Sequence, residues 1–457
     1  MGSRRIAAII LAAGKGTRMN SVRPKVLHTL AGIPMIGHVL AALNDIEVRE
    51  SKVVISPEQL EVADYVAPYP AVIQDPPRGT GDAVLAAINE VSAEIDDVLV
   101  LFGDTPLLTS ETMKRLLEAR RDPSDPAAVV LGFYPDEPGE YGRLIINSNG
   151  DLTGIIEAKE ASPEILTIGF CNAGIMAFDA NRLQEILQEI GNDNSKGEYY
   201  LTDAISIAIS KGWGCKAIKA DNSLEVIGVN TRAELAIAEA AMQDRLRSDA
   251  MRRGVTLIDP SSVWFSADTI LGRDITVGPH VWFGPGVSIG NNVEIRSFCH
   301  IEGARIGEGA IIGPFARLRP GTNLGEGVHI GNYVEIKEAK LDSGVKVNHL
   351  SYIGDSVVGY NTNIGAGTIT CNYDGFTKEK TEIGAQAFIG SNTAIVAPVK
   401  IGDRAIVGAG STLTRDLPAD SLGLTRAKEI VREGWAADFR KKKSKTVSAD
   451  KDQRDLD

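Results

Sequence analysis

The most regular pattern in the chain is an aliphatic or aromatic residue that returns every six positions, usually followed by glycine. The series begins at Val277 and Phe283 and continues through Ile389 and Ile401 to Leu413. A period of six fits neither the 3.6 residues of an α-helical turn nor the two of an ordinary strand. It predicts a solenoid in which each hexad is a short strand plus a corner, and three hexads complete one triangular coil with the apolar residue inside. We expect the glycines to turn the tight corners.

The six-residue spacing has interruptions, and these are the places where functional residues are expected. The spacing shortens at Ile306, Leu341 and Val358, and it stops between Thr370 and Ile383. The stretch after Thr370 departs from the repeat for about seven residues. A loop of this kind can fold over a ligand or a neighbouring subunit, although a tolerated insertion would leave the same pattern.

Residues 1–230 have a different organisation. Short apolar runs at Ile6–Leu11, Lys52–Ile55 and Val98–Phe102 predict buried parallel strands. Helices are expected between the strands, as at Gly81–Glu90 and Glu111–Ala119. The alternation predicts an α/β, doubly wound sheet with functional residues at the carboxyl ends of its strands.

A connector helix is predicted between these two regions. Thr231 and Glu234 have the spacing of a capping box, Leu235 and Met242 lie on one apolar face, and Gly254 is expected to end the helix. We expect this helix to pack on one domain. The expected limits are a first domain at 1–230, the connector at 231–254, a hexad domain at 255–440 and a disordered tail at 441–457.

Composition narrows the classes of protein. The 457 residues suffice for two or three domains, and the net charge of −12 argues against a nucleic-acid-binding surface without excluding anionic substrates. The four cysteines form no CxxC pair, which favours a reducing cytosol. The apolar run Ile6–Ala13 is short and lacks a cleavage signature, so we expect a cytoplasmic protein without a signal peptide or membrane span.

A glycine-rich segment, Leu11–Met19 (LAAGKGTRM), follows the first predicted strand and is neither a Walker A loop nor GxGxxG. Its backbone amides can approach phosphates closely. Arg18 and Lys25 add positive charge that would stabilise a phosphoryl-transfer transition state, so they are the expected catalytic cations. An ordinary glycine turn with surface cations is the alternative.

Two oxygen-bearing side chains follow apolar runs elsewhere in the first domain. Asp104 comes just after Val98–Phe102, and Asn230 comes just after Glu225–Val229. A carboxylate and an amide oxygen are hard ligands suited to Mg²⁺, which also takes oxygens from phosphates and water. The alternative is structural, with Asp104 capping a helix and Asn230 closing a turn.

Three residues of the hexad region suggest a second site. His349 lies inside a disturbed hexad, and an imidazole that titrates near pH 6.5 suits a general base. Arg319 and Lys337 occupy the glycine positions of their hexads, where two cations could bind a phosphate group. A surface histidine and two solvated corner charges are the alternative.

Several motifs of the first domain resemble those of the sugar-1-phosphate nucleotidyltransferases. They are LAAGKGTRM, Lys25, Gln74 with Gly79-Thr80, LFGD, Tyr141-Gly142-Arg143, Glu157, Asn172, GEYYLTD and EVIGVN. Together with the hexads, nearly the whole chain resembles the bacterial family of bifunctional N-acetylglucosamine-1-phosphate uridyltransferases/glucosamine-1-phosphate N-acetyltransferases. The resemblance implies a Rossmann-like nucleotidyltransferase domain followed by a left-handed parallel β-helix, assembled as a homotrimer.

The resemblance also implies two reactions. Acetyl-CoA would acetylate glucosamine 1-phosphate, and a Mg²⁺-dependent uridylyl transfer from UTP to N-acetylglucosamine 1-phosphate would then release pyrophosphate. The product, UDP-N-acetylglucosamine, would feed cell-envelope synthesis. One local departure from the family pattern is Asp82, where the family often has histidine.

Individual residues take roles from the same resemblance. The residues implied to contact UTP or UDP-N-acetylglucosamine are Leu11, Ala12, Ala13, Gly14, Lys25, Gln74, Gly79, Thr80, Gly142, Glu157, Asn172 and Asn230. Those implied to hold Mg²⁺ are Asp104 and Asn230. In the hexad domain His349 is the implied general base. The residues implied to bind glucosamine phosphate are Arg319, Lys337, Tyr352, Asn363 and Lys378, and those implied to line the acetyl-CoA site are Ala366, Asn372, Tyr373, Ser391, Ala409 and Arg426.

Two other functions fit parts of the sequence. One is a single-activity sugar-1-phosphate nucleotidyltransferase whose hexads serve assembly or regulation, which His349 and Lys337 argue against. The other is a non-enzymatic scaffold subunit like those of eukaryotic translation-initiation exchange factors. The intact glycine-rich segment, Asp104 and Asn230 argue against the scaffold.

Overall fold

The computed structural model describes residues 4–454, with side chains up to residue 444. Contacts between Cα atoms divide the chain into two compact units, Met1–Arg305 and Ile306–Asp457. The division falls within the hexads, later in the chain than the domain limit expected at residue 254. Each unit is described by itself below.

The first unit is built around a mixed β-sheet of nine strands, in which the path β11-β7-β10-β6-β1-β4-β5 carries β8 and β9 at one side. The strands β1, β4, β5 and β6 are parallel, whereas β10 runs antiparallel to both β6 and β7. A separate pair, β2 and β3, lies outside this sheet. The strands are β1 (Ile6–Leu11), β2 (Thr29–Leu30), β3 (Ile33–Pro34), β4 (Val48–Ile55), β5 (Ala71–Ile73), β6 (Asp97–Phe102), β7 (Ala128–Phe133), β8 (Arg143–Ile146), β9 (Leu152–Ile156), β10 (Cys171–Asp179) and β11 (Cys215–Lys219).

Helices cover both faces of this sheet, as predicted for a doubly wound fold. Successive residues of β1 show why, because Ala7 and Ile9 belong to one apolar core and Ala8 and Ile10 belong to another. A strand that is buried on both faces carries a continuous apolar run. The helices are α1 (Met35–Leu43), α2 (Leu60–Val66), α3 (Thr80–Ile88), α4 (Ser110–Arg120), α5 (Pro163–Leu166), α6 (Ala180–Leu187), α7 (Asp203–Ser210) and α8 (Arg232–Arg252), with short 3-10 turns at Thr17–Met19, Lys25–Leu27, Ser223–Val226 and Pro260–Ser262.

Helix α8 is the predicted connector, and its ends are formed as expected. The Thr231 side chain accepts a hydrogen bond from the Glu234 amide, and the Glu234 carboxylate accepts one in return, which completes the capping box. After the helix ends at Arg252, Gly254 adopts a φ of +95°. Such a left-handed conformation is one that glycine reaches without strain.

The expectation that α8 packs on one domain only was wrong. Its buried Ala238 and Met242 join a small apolar core with Leu30 and Leu107 of the α/β domain. Its Gln243 side chain also donates to the Phe265 carbonyl at 2.7 Å and accepts from the Phe265 amide at 2.8 Å. The helix is therefore bonded to the first hexads as well, and this bonding explains why they belong to the same compact unit.

The hexads of the first unit form stacked parallel strands. Val277 pairs with Ile295, and Phe265 pairs with Phe283, each eighteen positions further along the chain. Three hexads per coil give this spacing, so the triangular coil predicted from the sequence is confirmed. The strands are β12 (Thr256–Leu257), β13 (Trp264–Phe265), β14 (Ile270–Leu271), β15 (Thr276–Val277), β16 (Trp282–Phe283), β17 (Ser288–Ile289), β18 (Glu294–Ile295) and β19 (His300–Ile301).

The second unit continues the same repeat as parallel β-strands, the arrangement expected of a hexapeptide β-helix. Strand β20 (Ala304–Ile306) lies at the division between the units. The strands that follow are β21 (Ile311–Ile312), β22 (Arg317–Leu318), β23 (Thr322–Leu324), β24 (His329–Asn332), β25 (Glu335–Leu341), β26 (Lys346–His349), β27 (Tyr352–Val358), β28 (Asn363–Ile364), β29 (Ile369–Cys371), β30 (Thr381–Ile383), β31 (Phe388–Ile389), β32 (Ala394–Val396), β33 (Val399–Ile401), β34 (Ile406–Val407), β35 (Thr412–Leu413) and β36 (Leu422–Gly423).

The interruptions of the repeat change the pairing distance without breaking the stack. Leu341 pairs with Val358, only seventeen positions on, whereas Val358 pairs with Ile383, twenty-five positions on. The second value exceeds the regular eighteen by seven, which is the length of the predicted departure. Strand β27 pairs with both β29 and β30, so one continuous strand holds both ends of the inserted segment.

The glycines that follow the buried aliphatic residues have a role that the sequence did not predict. We expected them to turn the corners, but the left-handed corner positions are often occupied by other residues, such as Asn361 and Asn392. A Cβ on Gly365 would lie 2.6 Å from the Ile389 carbonyl oxygen of the adjacent coil. Glycine is therefore required here because the next backbone approaches closely.

The C-terminal tail was predicted to be disordered over 441–457, and the structure instead has a helix, α9 (Trp435–Arg454), across most of it. Residues 455–457 lie outside the described residues. In the part of α9 whose side chains are described, every residue is exposed, and Trp435 stacks on Phe439 one turn later, with ring centroids 5.2 Å apart. Local helical bonding therefore accounts for this segment.

Within residues 4–454, no helix is both long enough and apolar enough to cross a membrane.

The double hydrogen bond of Gln243 predicts a measurable loss of stability. In the Gln243→Leu variant the buried Phe265 amide and carbonyl lose their side-chain partner, so we expect the free energy of unfolding to fall by about 2–4 kcal/mol. Chemical denaturation monitored by tryptophan fluorescence measures this change. The matched control is Ser248→Leu, an exposed position of the same helix, and an equal loss in both variants would contradict the assignment.

Candidate functional site

A cavity of about 580 Å³ opens in the first unit, at the carboxyl ends of β1 and β6. This is the edge at which doubly wound sheets bind ligands, because the loops that follow parallel strands converge there. Most of the residues expected to bind nucleotide line it. The lining includes Leu11, Ala12, Ala13, Gly14, Lys25, Gln74, Gly79, Thr80, Asp104, Glu157 and Asn172.

Three polar side chains meet at one edge of the cavity. The Lys25 ammonium group contacts the Asp104 carboxylate and lies 2.9 Å from Asn230 Oδ1. Two oxygens that converge on one cation form an arrangement that a metal ion can also use. The donor set therefore fits Mg²⁺, with Lys25 Nζ marking a point that both oxygens reach.

Backbone and capping contacts set the position of Asn230. The Val229 amide donates to the Asp104 carbonyl at 2.9 Å, which joins the two chain segments directly. The Glu234 carboxylate accepts from the Asn230 and Thr231 amides at 2.7 and 2.8 Å. The first turn of α8 therefore fixes a candidate metal ligand, a relationship that the sequence suggested only as a helix cap.

Cations are distributed unevenly over the glycine-rich segment. Lys15 and Lys25 line the cavity, and Gln59 supports the segment by donating to the Gly14 carbonyl at 3.1 Å. Arg18 is exposed on the 3-10 turn Thr17–Met19, whose Met19 is buried, and it is not part of the cavity lining. The structure thus brings Lys25 to the metal-type cluster and leaves Arg18 at the surface.

The turn at Gly79 and the segment GEYYLTD, at 197–203, pack directly against each other. The Gly81 amide donates to the Tyr199 carbonyl, and the Tyr199 amide donates to the Arg78 carbonyl, both at 2.8 Å. A Cβ on Gly79 would lie 2.6 Å from the Tyr199 carbonyl oxygen, so this turn requires glycine. This contact places the segment GEYYLTD at the wall of the cavity.

The far end of the cavity holds the three residues expected to bind the sugar. Glu157 and Asn172 line it, and the Asn172 amide donates to the Gly142 carbonyl at 2.8 Å. The buried Arg143 guanidinium donates to carbonyls of the preceding loop, including that of Tyr141, and so shapes the backbone around Gly142. The three residues are therefore adjacent, although Gly142 itself is not part of the lining.

Burial raises the pKa of the Glu157 carboxyl above its ordinary value. The hydroxyl of Thr202 donates to Glu157 Oε1 at 3.2 Å and opposes the increase only in part. A carboxylate in such a place is poorly solvated, so a ligand that offers hydroxyl donors would stabilise its charged form.

The sequence did not identify several residues that line the cavity. GEYYLTD was recognised as a motif, but no site role was given to its members, and Lys15 was also left out. The additional polar lining residues are Lys15, Lys196, Glu198, Tyr200 and Thr202. Lys15 belongs to the glycine-rich segment itself, whereas the other four are distant from that segment in sequence, which hides their proximity. For Glu198, Tyr200 and Thr202 the motif GEYYLTD was the available signal.

In the second unit, His349 ends strand β26 and is exposed. Its Nδ1 lies 2.8 Å from Asn332 Oδ1, which belongs to the preceding coil and pairs with it in register. Because an amide oxygen only accepts, Nδ1 carries the proton and Nε2 is the basic nitrogen. Asn332 was missed, since its proximity depends on the shortened seventeen-residue offset.

Four of the residues expected to bind acetyl-CoA follow one edge of the stacked coils. The Asn392 amide donates to the Ala366 carbonyl at 2.7 Å, and the Gly410 amide donates to the Ser391 carbonyl at 2.8 Å. Arg426 then donates to the Ala409 carbonyl at 3.2 Å. The Gly367 amide donates to the His349 carbonyl at 3.2 Å, so this column begins beside the candidate base.

The residues expected to bind sugar phosphate form a second group. Lys337 Nζ lies 3.5 Å from the Asp355 carboxylate, and the Lys378 side chain is a close neighbour of Lys337. Asn372 also donates to Asp355 and lies 3.5 Å from the Tyr352 hydroxyl. Two ammonium groups beside a single carboxylate leave a net positive charge that suits a phosphate.

The remaining residues of this set are less closely connected. Arg319 is paired with Glu335 at 2.9 Å, and Asn363 begins the strand that pairs with β26 at Lys346. Tyr373 forms an isolated antiparallel bridge with Lys378, which closes the inserted segment into a small hairpin. Among the described residues no hydrogen bond or ion pair joins Lys337 to His349.

Comparisons with known proteins agree with both halves of this description. A family model described as a MobA-like NTP transferase domain matches residues 8–158, and one described as a bacterial transferase hexapeptide (six repeats) matches residues 303–338 and 380–415. The fold and its sites therefore define a nucleotidyltransferase joined to a hexapeptide-repeat transferase.

Relatives that match almost the whole chain identify the family. The Bifunctional protein GlmU of Rhodospirillum rubrum is 56% identical, covering 95% of this chain and 97% of the relative. The proteins of the same name from Paramagnetospirillum magneticum and Zymomonas mobilis are 52% and 47% identical, and each alignment covers 96% of this chain and 98% of the relative. The chain belongs to the GlmU family of bifunctional proteins.

Family membership confirms the bifunctional synthesis of UDP-N-acetylglucosamine expected from the sequence. The chain is an enzyme with uridyltransferase and acetyltransferase activities, and the single-activity alternative is not favoured. The roles of individual residues remain predictions.

The raised pKa of Glu157 predicts a pH-dependent effect on stability. A carboxyl whose folded pKa is raised stabilises the fold fully below its unfolded pKa, and that contribution is lost as pH rises through the folded pKa. We therefore expect Glu157→Gln to raise the melting temperature relative to the unsubstituted protein, by an amount that grows from pH 5 to pH 8. Differential scanning calorimetry measures this difference, and Glu118→Gln, at an exposed carboxylate of α4, should show no such growth. A difference that stays constant with pH would argue against a poorly solvated Glu157.

Proposed function

We propose that residues 255–440 acetylate glucosamine 1-phosphate and that residues 1–230 couple the product to UMP from UTP. The observation that carries this proposal is the convergence of Lys25, Asp104 and Asn230 at the edge of a cavity, in a chain that also holds a His349–Asn332 pair on its hexads. The two clusters suit different chemistries, phosphoryl transfer and acyl transfer, as a bifunctional enzyme requires.

In the uridylyl transfer, an oxygen of the sugar phosphate attacks the α-phosphorus of UTP. The bond from that phosphorus to the β-phosphate oxygen breaks, and pyrophosphate leaves. Backbone amides at 12–14 would bind the phosphates, and Gln74, Gly79 and Thr80 would bind the nucleoside. No covalent nucleophile is required, since positioning and positive charge supply the catalysis.

Asp104 and Asn230 would hold Mg²⁺ in this reaction, together with oxygens from phosphates and water. When bound, the ion supplies positive charge that offsets the charge developing on the phosphate oxygens. Lys25 would turn from Asp104 towards the α-phosphate, which exchanges one anionic partner for another. Arg18 would reach the triphosphate from the exposed turn only if the glycine-rich segment moves inward.

At the sugar end of the same cavity, Glu157, Asn172 and the backbone of Gly142 would bind the N-acetylglucosamine moiety. The poorly solvated Glu157 carboxylate gains most from sugar hydroxyl groups, because they replace hydrogen bonds that the protein does not supply. Thr202 would keep its bond to Glu157 and hold the carboxylate in one orientation.

In the acetyl transfer, the amine of glucosamine 1-phosphate attacks the thioester carbonyl carbon of acetyl-CoA. His349 Nε2 takes a proton from the amine, the carbon–sulfur bond breaks, and the CoA sulfur leaves and is protonated. Asn332 would fix the Nδ1–H tautomer and so keep Nε2 basic. Arg319, Lys337, Tyr352, Asn363 and Lys378 would bind the sugar phosphate.

The column that begins beside His349 would bind acetyl-CoA through Ala366, Ser391, Ala409 and Arg426, with Asn372 and Tyr373 contributed by the inserted segment. A cytoplasmic homotrimer is part of the same proposal, since acetyl-CoA and UTP are cytosolic metabolites and the flat faces of a β-helix can pack about a threefold axis.

The metal role of Asp104 predicts a selective defect. We expect Asp104→Asn to lower kcat/KM of uridylyl transfer by about 100-fold or more, since the change removes the charged ligand and a metal supplies several kcal/mol of transition-state stabilisation. Pyrophosphate release from UTP and N-acetylglucosamine 1-phosphate, followed against Mg²⁺ concentration, measures it. Acetyl transfer in the same variant is the control and should be unchanged. Uridylyl transfer that keeps its Mg²⁺ dependence would exclude Asp104 as a ligand.

The base role of His349 predicts the opposite defect. We expect His349→Ala to lower acetyl transfer by about 10²- to 10⁴-fold, the usual contribution of a general base, and to leave uridylyl transfer intact. Release of CoA from acetyl-CoA and glucosamine 1-phosphate measures the change. His329→Ala is the matched control, because His329 lies on the adjacent strand β24 and has no proposed role. Similar acetyl transfer in the two variants would remove His349 from the mechanism.

A further inference from the structure

Gln74 follows β5 and lines the nucleotide cavity, yet only 4% of its surface is exposed. Its side-chain amide nitrogen makes two hydrogen bonds. Nε2 donates to the Gly79 carbonyl at 2.9 Å and to the Asp82 carboxylate at 2.8 Å. Asp82 in turn accepts a bond from Arg78 Nη2 at 2.7 Å, through its other oxygen.

These contacts fix which way the Gln74 amide faces. A carbonyl and a carboxylate are acceptors only, so the atom that faces them must be the one that carries hydrogens. A flipped amide would set Oε1 against two other oxygens and lose both bonds. Among the described residues no donor bonds to Oε1, and it is the atom left for a ligand in the cavity.

On this basis we infer that Asp82 is a positioning residue, which holds Gln74 Oε1 towards the nucleobase and makes the site select a base that offers a hydrogen there. Uracil carries a hydrogen on N3, whereas N3 of cytosine is bare and would face Oε1 as a second acceptor. The amino group of cytosine could reach Oε1 only if the base shifted from the position of uracil. The inference rests on the proposed uridylyl transfer and adds a residue that decides its nucleotide.

The pairing of Asp82 with Arg78 makes one substitution especially informative. In Asp82→Asn a single oxygen remains, and the Arg78 guanidinium, which can only donate, competes for it. The new amide nitrogen then faces Gln74 and opposes the original orientation, which only the Gly79 carbonyl still supports. In Asp82→Ala one of the two acceptors is lost, so the orientation is weakened but not opposed.

The experiment compares kcat/KM for UTP and for CTP, with N-acetylglucosamine 1-phosphate and Mg²⁺, in the full-length protein and its variants. We expect the UTP-to-CTP ratio to fall about tenfold or more in Asp82→Asn and by less in Asp82→Ala, because a mispaired polar group at a base costs at least this factor. Arg78→Ala is the control. It removes an exposed partner of Asp82 but leaves the Asp82–Gln74 bond, so its ratio should stay within about twofold of the unsubstituted protein.

The outcomes separate the inference from the function on which it rests. Equal losses with UTP and CTP in Asp82→Asn and Asp82→Ala would mean that Asp82 only supports the fold, and an unchanged ratio in both would also overturn the inference. No pyrophosphate release from any nucleotide by the unsubstituted protein would instead overturn the proposed uridylyl transfer. Acetyl transfer and the melting temperature report whether each variant is folded. If Asp82→Asn does not fold, the UTP-to-CTP ratio of Asp82→Ala tests the inference by itself.

Discussion

The carboxylate of Glu234 is the contact on which much of the first unit depends. It accepts hydrogen bonds from two successive backbone amides at the start of α8, one of which belongs to Asn230. The same bonds therefore begin the connector helix and position a candidate metal ligand. Further along that helix, Gln243 bonds to the first hexads. One helix is thus hydrogen-bonded both to the edge of the nucleotide cavity and to the beginning of the solenoid.

At each of the two candidate sites a lysine is paired with a carboxylate. In the uridylyl site Lys25 neutralises Asp104, so that neither group is buried without a partner. In the acetyl-transfer site Asp355 does the same for Lys337 and also holds Asn372. Both candidate sites therefore pair a lysine with a protein carboxylate, and in the proposed reactions a phosphate or a metal ion would replace one partner of the pair.

The sequence predicted the features that depend on local or periodic signals. Strand β1 is a continuous apolar run, the α8 cap depends on residues three apart, and the coils repeat every eighteen positions, so each could be recognised without knowing its neighbours. Asp104 follows β6 at the edge where the rule for strand ends places functional residues. Asn230 follows the 3-10 turn Ser223–Val226 rather than a strand, so its approach to Asp104 could not be predicted from that rule. The inserted length of seven residues was predicted because it is a deviation from a known period.

What the sequence could not predict depends on contacts between distant segments. The antiparallel direction of β10 leaves no mark on an apolar run, and Tyr199 reaches the Gly79 turn from more than a hundred residues away. Asn332 lies beside His349 only because one coil is short by a residue. The hexad glycines were wrongly assigned to corners. Glycine is required at these positions because the backbone of the next coil lies close by, and the sequence of one hexad does not reveal that contact.

The continuous strand β27 has a consequence beyond the site it supports. It pairs with the strands on both sides of the inserted segment, so the entry and exit of that segment are fixed by contacts that do not involve the segment itself. The strand pairing on either side does not depend on how many residues lie between β29 and β30. This corner is therefore an insertion site at which the length of the chain can vary. A foreign loop could be grafted here without disturbing the register of the coils.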